Sequence, residues 1–278
     1  MMISHSFVTR LILVLCFGIS TLHGSDIEVF PSHPRLFFRA SPWGAHGLTL
    51  QSVKERASRP DARQALERLN RSLPDLALYS LVTGDRASAR EAIRRLQEPI
   101  EMDGTTTQGE LVGLAALALD WLWDDPDFTP EARARAVENL ADGAETLIHD
   151  LRSGAHVFHT RMYGWAMGAG LAGLALYGHH PEAPRYAAFA RDYFRDKLFP
   201  ARRLQDGTVH NGFGYGRKYT MWLTAHFITA WRSATGENLW QEIESQGDWA
   251  RRETRFLIYG RYPNRSYLRL GDSYSLLS

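Results

Sequence analysis

The stretch of the chain with the clearest potential for chemistry is His210-Asn-Gly-Phe-Gly-Tyr-Gly-Arg-Lys-Tyr219. Its alternating glycines let the backbone approach a ligand closely, because glycine carries no Cβ. Tyr215 lies among these glycines, and two cationic residues follow it. A tyrosine can take up a proton only if its pKa, about 10 when unperturbed, is lowered by cationic neighbours. The stretch therefore predicts Tyr215 as a proton-transfer residue; a tyrosine packed at a helix start is the alternative.

Further side chains in and near this stretch are suited to holding a ligand. Asn211 can hydrogen-bond a sugar or a carboxylate, or it can serve as a turn residue. His210 and Arg217 flank the glycines with an imidazole and a guanidinium. Trp165 and Trp222 offer aromatic faces on which a sugar could stack, with burial in the core as the alternative at their helical positions. We therefore predict His210, Asn211, Arg217 and Trp165 as substrate-binding residues.

Neither a metal site nor a cofactor site is predicted from the sequence. The pair His179-His180 diverges because adjacent side chains point apart, and the one cysteine, Cys16, excludes a multi-cysteine zinc site. No phosphate-binding glycine loop, dinucleotide fingerprint or nucleophile elbow is present. The 32 basic and 31 acidic residues give a net charge of +1, which argues against a nucleic-acid partner.

The first 24 residues have the organisation of a secretory signal peptide. A charged start ending at Arg10 precedes the apolar run Leu11–Ile19, and small residues follow around Gly24. The apolar run is too short to span a bilayer. We therefore expect cleavage after Gly24, a mature domain over 25–278 without a membrane span, and a periplasmic or secreted protein.

The elements that must position these residues are predicted to be helices, because no segment shows convincing strand alternation. Helices are expected over residues 50–70, 74–83, 87–96, 111–123, 130–152, 164–178, 184–198, 219–234 and within 238–259, with a loop over 206–216. The segments 111–123 and 164–178 are apolar on nearly all faces and alternate with amphipathic ones. This pattern predicts an all-α fold in which helical hairpins form inner and outer layers of a curved array or toroid, with a plain bundle as the alternative.

Five short motifs, in order along the chain, resemble those of heparinase II/III-type polysaccharide lyases, including alginate lyases of that fold. The motifs are His33-Pro-Arg-Leu-Phe-Phe38, Leu81-Val-Thr-Gly-Asp85, Ala118-Leu-Asp-Trp-Leu-Trp-Asp124, Leu171-Ala-Gly-Leu-Ala-Leu-Tyr-Gly178 and Asp206-Gly-Thr-Val-His-Asn-Gly-Phe-Gly-Tyr215. The resemblance covers residues 33 to about 232. It implies an incomplete α/α toroid that is normally followed by a β-sandwich domain, so the sequence is expected to be truncated before that domain. It also implies cleavage of an acidic, uronate-containing polysaccharide by β-elimination.

The resemblance assigns roles to two residues. Tyr215 falls on the catalytic tyrosine of the family. His159 precedes the inner helix where these lyases carry an Asn-His pair that binds the substrate carboxylate, but Phe158 stands in place of the asparagine. Either His156 is the matching histidine or another group neutralises the carboxylate. A capping or core histidine is the alternative for His159.

Two rival functions follow from the same residues. A glycoside hydrolase on a similar toroid would need two carboxylates about 5–10 Å apart, and Asp120, Asp124 and Asp206 are available. A non-catalytic glycan-binding protein is favoured by the absence of asparagine at 158 and by Asn211 where the family often has a glutamate.

Overall fold

The computed structural model describes residues 27–44, 47–69, 71–105, 107–154, 157–264 and 266. The predicted signal peptide and His156 lie outside these residues. The described part of the chain is mostly helical, with no strand; an isolated bridge joins Arg39 and Thr49. The predicted all-α class is therefore confirmed. Within the same residues, no helix has both the length and the apolar character that a membrane span requires.

Thirteen α-helices and two π-helical turns make up the described fold. They are α1 Leu50–Ala57, α2 Pro60–Glu67, α3 Leu73–Thr83, α4 Arg86–Leu96, α5 Thr107–Leu122, α6 Pro130–Arg152, α7 Thr160–Leu176, α8 Ala183–Tyr193, the turn π1 Phe194–Leu198, α9 Phe199–Leu204, α10 Gly212–Tyr215, the turn π2 Gly216–Met221, α11 Trp222–Thr235, α12 Leu239–Ser245 and α13 Trp249–Tyr259.

Most of the predicted helix bounds are close to those observed. Thr129 caps α6 by accepting a hydrogen bond from the Ala132 backbone N–H at 3.2 Å, and Pro130 occupies the first turn, where its missing N–H costs nothing. The single helix expected over 50–70 is wrong. It is two helices, because Pro60 cannot continue α1 and instead opens α2.

The loop expected over 206–216 is wrong at its C-terminal end, because helix begins at Gly212 and continues through π2 into α11. Gly216 lies within this helical stretch, and its backbone packs against Val209. A Cβ at position 216 would lie 2.4 Å from the Val209 Cγ1 atom. Glycine at this position therefore serves close packing, and Tyr215 lies within helix rather than on an open loop.

The helices form two rows joined by hairpins. Helices α3, α5, α7 and α11 contact one another in that order, while α4, α6 and α8 contact one another in a second row. Every residue of α7 except Arg161 is buried, and most of α5 is buried as well. The first row therefore forms the core, as predicted from the sequence segments that are apolar on nearly all faces.

Helices α5 and α7 run in the same direction, with their N-terminal ends level. Near these ends the backbones touch at Gly109 and Gly164, where a Cβ on Gly109 would lie 2.3 Å from the Gly164 carbonyl carbon. One turn further along, Gly113 lies opposite Gly168 and Leu171. Small residues at these positions let the two helices approach closely, which brings their N-termini to one end of the fold.

The opposite end is crossed by an N-terminal strap, residues 30–39. Its backbone N–H groups at Arg35 and Leu36 donate to the buried Asp120 carboxylate near the end of α5, at 2.9–3.2 Å. The Arg35 guanidinium donates to the Ala175 and Tyr177 carbonyls at the end of α7, both at 3.0 Å. Arg39 donates to the Ser233 carbonyl near the end of α11. The strap therefore holds together the C-terminal ends of three core helices, and its arginines satisfy carbonyl groups at the ends of α7 and α11.

Candidate functional site

His159 lies at the N-cap of α7, at the end of the fold away from the strap. Its Nδ1 atom accepts hydrogen bonds from the Arg161 backbone N–H and from the Arg161 side-chain Nε–H, both at 3.2 Å. Because Nδ1 accepts both bonds, a proton on the ring is carried by Nε2, which lies 3.5 Å from the Arg161 Nη2 atom. The capping role that the sequence left open for His159 is thus present, and the Nε2–H is a hydrogen-bond donor.

Arg161 is fixed between two side chains at the start of α7. Its guanidinium contacts His159 and lies over the Trp165 ring, 5.5 Å from the ring centroid. No carboxylate of the described residues forms an ion pair with it. Sequence reasoning missed this residue, because an arginine in the first turn of a helix is typical of a solvated surface.

The segment that carries Tyr215 is short and irregular. Tyr215 ends α10, and the π-helical turn π2 follows directly, with the Thr220 hydroxyl donating to the Gly216 carbonyl at 2.8 Å. The Tyr215 ring is half-buried, and its centroid is 5.0 Å from that of Tyr219. Single π-helical turns within α-helices are frequent at functional sites, because the extra residue changes the direction of the side chains beside it.

The start of α7 and the segment before α10 come together in the structure. The Phe158 ring meets the His210 ring edge-on, with centroids 5.5 Å apart, and π2 packs against α7. Residues 158 and 210 are thus in contact although 52 positions separate them in the chain. This contact brings the segment of His159 next to the segment that leads to Tyr215.

The remaining predicted substrate-binding residues differ in their exposure. His210 and Arg217 are exposed, and Asn211 is half-buried just before α10. Trp165 is only 4% exposed, and its indole N–H donates to the Thr105 carbonyl at 3.0 Å. Burial leaves almost none of the Trp165 ring for a sugar to stack on, so the core position that the sequence left open is the one observed. Trp222 is 42% exposed and packs at a tilt against His226, with centroids 3.7 Å apart.

A second tyrosine close to His159 in sequence is unsuited to proton transfer. Tyr163 is fully buried beside the ion pair of Arg202 and Glu253. Burial raises the pKa of Tyr163 well above its usual range, although Arg202 opposes this. Its phenolate form is therefore disfavoured, whereas Tyr215 is only half-buried.

Of the three acidic residues considered for a glycoside hydrolase, Asp120 and Asp124 line one cavity at the strap end. Asp120 is fully buried at the strap end, where its carboxylate accepts hydrogen bonds from the strap and from His33 Nδ1 at 2.6 Å. Asp206 forms an ion pair with Arg252 before α10. Asp124 follows α5 at the strap end. Over the described residues, no group of three or more metal-ligating side chains could hold a metal ion.

No protein family's sequence profile matches the chain, and no curated protein gives a significant match. The geometry of the site therefore carries the functional argument.

Proposed function

We propose that the chain is an exported polysaccharide lyase that cleaves a uronate-containing acidic polysaccharide by β-elimination. The observation that carries the proposal is the contact between Phe158 and His210. It brings a histidine and an arginine at the start of α7 next to the segment of a half-buried tyrosine. Donors for a carboxylate and a group for proton transfer are the two requirements of this reaction.

The reaction can be written with these residues and with no water consumed. The Tyr215 phenolate takes the proton from C5 of the uronate, and the electrons of that C–H bond form the C4=C5 double bond. The bond between C4 and the glycosidic oxygen breaks, and the leaving oxygen takes the proton back from Tyr215. Before this step, the neighbouring carboxylate must be neutralised, because C5–H is otherwise too weakly acidic. His159 Nε2–H supplies one donor for that purpose.

We propose that the two rows of helices are part of an α/α toroid. The sequential contacts within each row and the hairpins between rows support this arrangement. The shared direction of α5 and α7 supports it too, since inner helices of such a fold place their equivalent ends on one face. Export is proposed from the sequence of residues 1–24.

The experiment that tests the function is incubation of the purified protein with alginate, heparan sulfate and chondroitin sulfate. Elimination leaves an unsaturated uronate that absorbs in the ultraviolet, and hydrolysis does not. We expect the absorbance to rise with at least one of these glycans and not with a neutral glucan. New reducing ends without the absorbance would support the hydrolase instead. Binding of an acidic glycan without any cleavage would support the non-catalytic alternative.

A further inference from the structure

Arg161 is placed where a helix disfavours a cation. It lies in the first turn of α7, and the N-terminal end of a helix carries partial positive charge from its unpaired N–H groups. No acidic residue lies in that turn. Among the described residues, no carboxylate pairs with Arg161. Residues that go against a local structural preference, such as a cation in the first turn of a helix without an acidic partner, are expected at functional sites.

The structure also orients the Arg161 side chain. The guanidinium is held on one side by His159 and lies over the edge of the core at Trp165. Arg161 is the one residue of α7 that is not buried. Its N–H donors therefore form a cationic group at the end of the helix, held beside the His159 ring. Such a group matches a single planar carboxylate, to which a guanidinium can donate two parallel hydrogen bonds.

We infer that Arg161 binds and neutralises the carboxylate of the uronate substrate. This inference rests on the proposed function. Arg161 takes the role of the asparagine amide that is missing because residue 158 is a phenylalanine. The guanidinium binds the carboxylate from the α7 side, next to His159. Tyr215, on the neighbouring segment, is then the group that moves the proton. Arg161 thus sets the preference for charged over neutral sugars.

The test is equilibrium binding, measured by calorimetry in the Tyr215→Phe background so that the ligand is not consumed. The ligands are an oligosaccharide from whichever polyuronate the parent cleaves, or from alginate if it cleaves none, and the same oligosaccharide with its carboxyl groups reduced to alcohols. We expect Arg161→Gln to weaken binding of the acidic form about 10- to 100-fold, because a charge-assisted interaction is lost. The oligosaccharide whose carboxyl groups are reduced should bind equally well to the Tyr215→Phe protein with and without Arg161→Gln. Arg161→Lys should lie between them, because lysine keeps the charge and loses the two-point geometry.

Arg133→Gln is the matched control. The Arg133 guanidinium also lies 5.5 Å from the centroid of a tryptophan ring, that of Trp123, at the strap end of the fold. Its removal changes net charge equally and should leave binding of both ligands unchanged.

The inference is overturned if Arg161→Gln weakens both ligand forms equally, which would indicate a structural role, or if it weakens neither. It is also overturned if the Tyr215→Phe protein binds neither form. The proposed function fails separately, if the parent protein binds the acidic form through Arg161 but never produces an unsaturated product.

Discussion

At the scale of single residues, the proposed chemistry depends on three side chains from two segments. Tyr215 is predicted from its place among glycines and cations, and His159 from the resemblance to the lyases. Arg161 was not predictable in this way, because its meaning comes from its contacts with His159 and Trp165 and from the lack of an acidic partner. These are tertiary properties that residue spacing does not contain.

Tyr215→Phe tests the proton-transfer role. The substitution removes one hydroxyl group from a half-buried ring, so we expect the helical circular dichroism spectrum to stay unchanged. Turnover on a glycan that the parent cleaves should fall about 10²–10⁴-fold, because general acid–base assistance is lost. The Michaelis constant should change less if the hydroxyl acts mainly in the transition state.

Tyr259→Phe is the control for this change, because Tyr259 is 84% exposed at the end of α13. It should retain the turnover of the parent. If Tyr215→Phe also retains near-normal turnover, Tyr215 is a packing residue and the site is wrongly assigned.

At the scale of helices, the site depends on how closely α5 and α7 approach. The sequence predicts both helices as buried, from their apolar residues on all faces, and the structure confirms this. It does not predict which glycines make the contact, because every glycine in a small-residue helix looks equivalent in the sequence. The structure separates them: Gly109 meets backbone atoms of α7, whereas the nearest atom to a Cβ on Gly113 is the end of the Met167 side chain.

Gly109→Ala should therefore destabilise the fold. Its Cβ would overlap the Gly164 backbone, which cannot move without separating the helices, so we expect a loss of about 1–3 kcal/mol in the free energy of unfolding. Gly113→Ala, one turn away, should stay within about 1 kcal/mol of the parent, because the Met167 side chain can shift and alanine favours the helix.

Urea denaturation of the two variants measures this difference. Equal stabilities for Gly109→Ala and Gly113→Ala would mean that the helices are not in backbone contact at their N-terminal ends.

At the scale of the whole molecule, the two ends of the first row of helices have different roles. The N-terminal ends of α5 and α7 lie beside the candidate site, and the strap holds the C-terminal ends. Asp120 indicates the strap, but from the sequence it is considered only as a candidate for hydrolase chemistry. A single carboxylate in a helix that is apolar on all faces must find partners, and here the partners are His33 and the strap backbone.

The strap predicts a loss of stability in acid. His33 Nε2 accepts from the Arg35 guanidinium at 2.9 Å and lies 2.9 Å from His179 Nε2, while the His179 ring stacks on Trp123 with centroids 3.8 Å apart. Burial, with the nearby charges of His33, Arg35 and Arg133, lowers the pKa of His179 from 6.5 to about 4, although Asp120 opposes this.

Because the folded pKa is the lower one, the unfolded chain binds more protons at His179 between pH 6.5 and 4. This contribution to stability is present above pH 6.5 and is lost as pH falls towards 4. Thermal unfolding followed by circular dichroism should therefore show a midpoint that decreases over this range. The decrease should be smaller in His179→Gln, which keeps a hydrogen-bond donor but does not titrate. An identical pH profile in both proteins would exclude His179 as the titrating group.

The most direct test of the whole account is the mass of the products released from a purified uronate oligosaccharide. Elimination divides the chain without adding water, so the fragments should sum to the mass of the substrate, and the fragment from the reducing-end side of the cleaved bond should carry one C=C bond at its new non-reducing end. Hydrolysis adds one water for each bond cleaved. We predict fragments that sum to the substrate mass, formed by the parent and reduced at least 100-fold with Tyr215→Phe. Fragments that carry the additional water would contradict the account.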